Sequence, residues 1–408
     1  MSTASTRSAA RRSTGFTIVK ITDIDVHVLL APDMDQGKTS SAQDDLVVII
    51  HTDEGVSGIG ESDVNPWMAK AALTAPGTHT MGLCIRDLLI GQDPFDIAGL
   101  WDRMYKGTAM NGRRGVVIHA MGAVDMALWD LKGKALGKPV WQLLEGGAGR
   151  QEVYPYASLL PEGDSFEEYR DALVASAEKA KALGFRAMKA EVIMNGPYAH
   201  SGIRESYDKH TEVVAAVRKA LGPDVTLMVD VGYLWPDSKS CLEIIKDWKE
   251  FDLFFVETPV WSDDTEGLRE VCEQAPMPIA VGEWLATRWE FKELMDLGKV
   301  QVAQPDVGRV GGLSEAKIVC DMAKQRGVTI VPHCWKTAIS ISATAHLAFN
   351  TPHCAFIEYL PQELCFETLR KQLAHEDLSM KNGAIPLPTR PGLGVEVDFD
   401  ALRRYTVA

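Results

Sequence analysis

From Phe16 the segment FTIVKITDIDVHVLL alternates apolar and polar positions well enough to predict a strand. LVVIIHTDEGVSGIGES then reads as strand, Asp-Glu-Gly turn, strand, which predicts a hairpin. Between them, APDMDQGKTSSAQDD is polar and rich in turn residues, a loop. From about residue 69 to 137 the period becomes helical. In VVIHAMGAVDMALWDLKGKALG, Val117, Met121, Val124, Leu128 and Leu131 share one stripe, and Gly137 followed by Pro139 ends the helix. The first 150 residues or so therefore predict a small α+β unit.

The texture then changes. Short apolar runs recur, each followed by a longer amphipathic stretch: VYPYAS, RAMKAEV, TLMVDV, LFFVET, PIAVGE, VQVAQPD, VTIVPH and CAFIEY. From 186 onward their starts lie about one βα unit apart. Eight strands separated by helices predict a closed parallel barrel rather than an open sheet. Asp230, Glu257, Glu283, Asp306, His333 and Glu358 stand at or near the C-terminal ends of these runs, and Lys189 and Glu191 lie late in the second. That end of a barrel is where active sites are built. Beyond residue 370 the Pro- and Gly-rich text KNGAIPLPTRPGLGVEVD, then a short helix, predicts a segment packing back on the N-terminal unit.

Composition narrows the setting. A chain of 408 residues, 46% hydrophobic and 24% charged, has the balance of a soluble globular protein. Its net charge of −14 speaks against nucleic acid or a membrane surface as partner, since each needs a cationic face. An anionic small substrate stays open, because a bound dication can dominate the local field. No apolar run is long enough to span a membrane. Seven scattered cysteines without a C-x-x-C pair predict reduced, mostly buried thiols and a cytoplasmic protein. MSTASTRSAARRSTG has no apolar core and reads as a disordered extension, with a transit peptide as the alternative.

Three carboxylates ending consecutive strands, Asp230, Glu257 and Glu283, converge on one side of a barrel mouth. They cannot all ionise cheaply unless something cationic sits among them. All-oxygen donors without Cys or His suit Mg²⁺ better than Zn²⁺. Asp306 and His333 end the next two strands, and a carboxylate on one imidazole nitrogen fixes the tautomer a general base requires. Lys189 and Glu191 point to the same side by alternation. Glu358, if held neutral, could donate to a developing enolate. Structural salt bridging is the competing reading for these last three.

In MVDVGY, VETP, AVGEW, QPDVGRVGGLSEA, PHCW and IEYL, with DEGVSGIGES and AVDMALWDLKGKALGKPVWQLLEGG before them, the chain resembles the enolase superfamily and, within it, the mandelate racemase subgroup. The resemblance covers about residues 17–400. It implies a (β/α)₇β-type TIM barrel and an N-terminal α+β capping domain completed by the C-terminal segment. The expected layout is an extension at 1–15, the cap at 16–148, the barrel at 149–370 and the tail at 371–408. It further implies one Mg²⁺ per subunit on Asp230, Glu257 and Glu283, the Asp306–His333 pair as base, Glu358 at the enediolate, and an even-numbered homo-oligomer, often an octamer.

Two departures bear on the reaction. The subgroup often carries Lys-x-Lys after the second strand, whereas here the text is Lys189-Ala190-Glu191. Its Asp-x-Asn becomes Asp230-Val231-Gly232. Both count against proton transfer between two faces and leave dehydration of an aldonate or aldarate to a 2-keto-3-deoxy acid as the first expectation. A racemase, epimerase or cycloisomerase of a hydroxy-carboxylate on the same scaffold is the alternative. A non-catalytic carboxylate-binding barrel would have lost a ligand or the base, and neither is lost. Substrate contacts are expected from Lys38, Trp67, Arg113, Tyr233 and Trp335. The capping loops are mostly polar, which fits a hydroxylated substrate better than an aromatic one.

Overall fold

In the computed structural model, the described residues are 19–408 except 38–39, 148, 161–162, 200–202 and 377. The extension expected at 1–15 and Lys38 lie outside them. Strands β1 (Ile21–Leu30), β2 (Asp44–Thr52) and β3 (Ser57–Ser62) form an antiparallel sheet in chain order. The β2–β3 connection turns at Gly55, whose φ of +75° lies in the left-handed region that glycine tolerates.

The sheet packs on the helix Val116–Leu136. Gly58 and Gly60 make this contact possible: a Cβ at either would stand 2.0 Å from the carbonyl oxygen of Ala127 or Ala123. The helix is covered more fully than a one-sided stripe would be, with Ile118, Ala120, Ala123 and Ala127 buried beside the predicted positions. The reason is a second neighbour, the short helix Val307–Val310 of the barrel, on its far side. Gly137, at φ +63°, caps its C-terminus.

Eight parallel strands follow: β4 (Pro155–Leu159), β5 (Ala187–Glu191), β6 (Thr226–Asp230), β7 (Leu253–Glu257), β8 (Ile279–Val281), β9 (Val302–Ala303), β10 (Thr329–Ile330) and β11 (Ile357–Tyr359). They pair in chain order from β4 to β10, with β11 beside β4. The ring closes where Ala355 N donates to Ile330 O at 2.9 Å. A helix separates each strand from the next, so the barrel is of the (β/α)₇β type. β9 and β10 are shorter than their apolar runs. Pro305 and Pro332 lack the N–H that would continue the ladder.

Alternation within the strands sorts the interior. Tyr156, Ala187, Met228, Phe255, Ala280, Val302 and Val331 form one buried apolar cluster inside the ring. Two residues further along the same strands, on the same face, come Ser158, Lys189, Asp230, Glu257, Gln304 and His333. One inward face is thus apolar below and ionisable above.

The cap sits over that ionisable end. Glu61 of β3 accepts from Thr337 N at 3.0 Å and Ser340 N at 2.8 Å, capping the helix Ala338–Phe349. Ser62 Oγ donates to Gly308 O at 2.9 Å, and Trp101 Nε1 to Gly311 O at 2.8 Å. Lys336 donates to Asp44 O at 2.7 Å and to Ser41 O, holding the start of β2 against the loop after β10. In the tail, Ala374–Glu376 pairs with Val395–Val397, and Val407 N donates to Val28 O at 2.8 Å on the edge of β1. The seven cysteines are buried and unpaired. Among the described residues no helix is long and apolar enough to cross a membrane.

Candidate active site

At the C-terminal mouth of the barrel lies a cavity of about 210 Å³. Its lining includes Lys189, Glu191, Asp230, Glu283, Arg309 and His333 from the barrel, and Ser40 and Ser41 from the cap. β6 and β7 end on Asp230 and Glu257, Glu283 follows β8 by two residues, and all three point at this end. Lys189 Nζ is the shared cation, 3.0 Å from Glu257 Oε1, 2.9 Å from Glu358 Oε1 and 3.5 Å from Asp230 Oδ2. Supporting donors fix the carboxylates. Gly232 N and Thr258 Oγ1 reach Asp230 Oδ1 at 2.9 and 3.1 Å, and Gln304 Nε2 reaches Glu257 Oε2 at 2.6 Å.

One lysine does not neutralise this group. Burial pushes the Glu257 carboxyl well above the ordinary range against the pull of Lys189, and Asp230, Glu358 and Glu283 push it the same way. Burial also raises Glu283, against His333 and Arg309. Buried oxygen donors with too little positive charge among them suit a hard dication, so the residues present fit the Mg²⁺ expected from the sequence.

A second acidic cluster lies alongside. Ligand-type atoms of Asp63, Asp306 and His333 fall within 4.8 Å of one another. These charges are already met. Asp63 Oδ2 is 2.5 Å from Arg309 Nη2, and Oδ1 is 3.4 Å from Lys336 Nζ. Although burial works the other way, Arg309 and Lys336 hold the Asp63 carboxyl down at about 2. Asp306 caps the helix Val307–Val310 through Gly308 N at 2.7 Å, leaving Oδ2 for His333 Nδ1 at 2.6 Å. The imidazole therefore donates from Nδ1 and presents Nε2 as the basic atom. Burial opposes its protonation, yet Glu358 and Asp306 push its pKa up to about 9. Nε2 lies 3.5 Å from Glu283 Oε2, so the imidazole and the strand-end carboxylates share one chamber.

Glu358 corrects an expectation. Its oxygens accept from Ser158 Oγ and Cys334 N, each at 2.8 Å, besides pairing with Lys189. Burial opposes its ionisation, but Lys189, His333 and the Cys334 amide hold the carboxyl below its ordinary value. In this arrangement both its oxygens accept and it anchors Lys189. Lys189, in turn, is held firmly protonated by Glu257 and Glu358 against burial.

Of the expected substrate contacts, Tyr233 and Trp335 line the cavity. Trp67, 46% exposed in the first turn of the helix Pro66–Thr74, does not, and neither does the exposed Arg113. Sequence reasoning missed Ser40, Tyr198, Trp284 and Arg309. Trp284 directly follows Glu283, so its place at a strand end was a usable signal; Tyr198, in the long connection after β5, offered none.

Two family models match the chain: the mandelate racemase / muconate lactonizing enzyme N-terminal domain over residues 19–145 and the enolase C-terminal domain-like model over 172–401. The chain is 32% identical to a D-galactonate dehydratase of Klebsiella pneumoniae (strain 342), across 86% of this chain and 88% of that one. It is 30% identical to a D-galactarolactone cycloisomerase of Agrobacterium fabrum, across 88% and 90%. Among solved structures, the 3,6-anhydro-D-galactonate cycloisomerase from Zobellia galactanivorans superposes with a TM-score of 0.81 at 31% identity, covering 95% of this chain and all of that one.

Proposed function

The chain belongs to the mandelate racemase and muconate lactonizing enzyme family of the enolase superfamily, and from that premise we propose that it dehydrates an acid sugar by removing the proton alpha to the carboxylate. The observation that carries this reading is the 2.6 Å contact of His333 Nδ1 with Asp306, which leaves Nε2 free on the wall of a carboxylate-lined cavity. Mg²⁺ held by Asp230, Glu257 and Glu283 would supply Lewis-acid stabilisation of the enediolate. A dication held there would add positive charge beside His333 and oppose its protonation, so that the neutral form can act as base.

His333 then takes the alpha proton at Nε2, and Asp306 stabilises the imidazolium through Nδ1. Protonated, His333 delivers the same proton to the departing beta hydroxyl, which leaves as water. One residue serves both steps when elimination is syn. Lys189, fixed by Glu257 and Glu358, adds positive charge beside the carboxylate as it becomes dianionic.

A second reading rests on Glu191. It lines the same cavity as His333, from a strand three places away round the ring. If Glu191 exchanges a proton on the other face of the enediolate, the outcome is racemisation, epimerisation or cycloisomerisation. Incubating the protein with Mg²⁺ and a panel of acid sugars, open-chain aldonates and aldarates as well as ring-form uronates and lactones, in D₂O separates the readings. A keto-acid product supports dehydration, and solvent deuterium in an isomeric product supports the second reading. Neither signal on any acid would overturn both.

A further inference from the structure

Outside the carboxylate end, the cavity wall is aromatic. Tyr198, Tyr233, Trp284 and Trp335 line it, with Ile193 beside them. Tyr233 stacks on Trp284 with centroids 4.4 Å apart and on Trp261 at 4.9 Å, while Tyr198 meets Trp284 edge-on at 5.2 Å. Tyr233 and Trp335 are buried, but Trp284 keeps 36% of its surface open and Tyr198 is only half-buried, although burying an indole is strongly favourable. Tyr233 is held at φ +59°, a conformation that costs a bulky residue on the order of 1 kcal/mol, and Tyr233 N secures it by donating to Thr258 O at 2.6 Å. Ser40, Ser41 and Glu191 line the same cavity, and the Tyr198 and Tyr233 hydroxyls belong to the aromatic wall itself.

An open-chain aldonate carries a hydroxyl on every carbon beyond its carboxylate. Hydroxyls directed at the ring faces of this wall would lose water without a partner, at about 1–3 kcal/mol each. A sugar ring arranges the same atoms differently, gathering C–H groups on a face and directing hydroxyls to its edge. The face suits an indole, and the edge suits Ser40, Ser41 and Glu191. The polar cap loops pointed to a hydroxylated substrate, and the aromatic wall adds a shape to that.

Resting on the proton-abstraction chemistry proposed above, we infer that the preferred substrate is a cyclic sugar acid, a lactone, furanose or pyranose ring bearing the carboxylate, stacked by its C–H face on the Trp284–Tyr198 side of the cavity. The test is binding to the Mg²⁺-loaded full chain, read by tryptophan fluorescence, with matched sets of hexuronates and aldarate lactones against aldonates and aldarates. Ring acids should bind about five- to tenfold more tightly than open-chain acids. Trp284→Leu and Tyr198→Leu should erase that preference, and Trp284→Phe, which keeps a ring in place, should restore most of it. For any acid that turns over, the leucine variants should raise KM and leave kcat within about twofold. Equal or tighter binding of open-chain acids, no measurable binding of any ring acid, or a preference untouched by Trp284→Leu would each overturn the inference. A ring preference without solvent deuterium exchange defeats only the proposed reaction, and exchange without a ring preference defeats only the stacking.

Discussion

Two acidic clusters meet at the barrel mouth, and they are neutralised in opposite ways. Asp230, Glu257 and Glu358 gather around Lys189, with Glu283 nearby against Arg309 and His333, so negative charge is left over. Asp63 and Asp306 face Arg309, Lys336 and His333, so theirs is met from within the chain. Residue type alone does not distinguish them. On the function proposed above, the first would hold the cation and the second, a closed network met from within, would orient the base. Arg309 joins the two, bonded to Asp63 at 2.5 Å and 3.4 Å from Glu283 Oε2.

The comparison breaks most severely at the base. His333→Asn should lower kcat on the true substrate by about 10³-fold or more while Mg²⁺ binding persists. Near wild-type turnover would exclude His333 as the proton acceptor. Next comes the bridge. Arg309→Met leaves the buried Asp63 with only Lys336, at 3.4 Å, as a close cation, so the folded state should lose about 3 kcal/mol in denaturant unfolding. Adding Asp63→Asn should return much of it, and strictly additive losses would show that the two residues are not coupled.

How much of this could be read in the chain follows the same division. Strand-end carboxylates were legible because alternation fixes which side of a barrel strand a residue faces, and the apolar residue two places earlier declares the inside. The loops gave no such handle. Trp67, in the first turn of a cap helix, and Arg113, in a loop, had the chemistry of substrate contacts, but both are exposed away from the cavity lining, and how a cap segment is aimed is set by distant contacts. Ser40 reaches the cavity because Ala42 packs against Trp335, Leu360 and Cys365, some 300 residues away in sequence. The ionisation of Glu358 was hidden for a related reason: it depends on Lys189 and the Cys334 amide, which only the closed ring brings together.

A histidine outside the clusters sharpens the contrast with His333. His346 is also buried, but no carboxylate faces it. It accepts from Trp141 N at Nδ1 and faces Leu393 O at 3.2 Å through Nε2, the pattern of a neutral ring. Burial lowers its pKa to about 4, the Leu393 carbonyl pulling weakly the other way. A depressed folded pKa means its contribution is fully present above the unfolded value, about 6.5, and is lost as pH falls toward 4. Unfolding free energy should drop by up to about 3 kcal/mol over that window, and the drop should shrink in His346→Gln. An unchanged pH slope would assign the acid sensitivity to other groups.

The gentlest test reaches the open cluster without removing a charge. Gln304 Nε2 donates to Glu257 Oε2 at 2.6 Å, while its own Oε1 has no partner within the protein. Leucine there keeps the volume but releases Glu257 from its orienting bond. Groups that aim metal ligands typically contribute 10–100-fold to affinity, so Gln304→Leu should weaken Mg²⁺ binding by about tenfold in calorimetry and recover turnover at saturating Mg²⁺. The closed cluster should not respond, because Gln304 makes no contact with Asp63, Asp306 or His333 among its hydrogen bonds. If affinity holds while turnover falls at every Mg²⁺ concentration, Glu257 acts on the substrate side and the spare charge belongs to Asp230 and Glu283 alone.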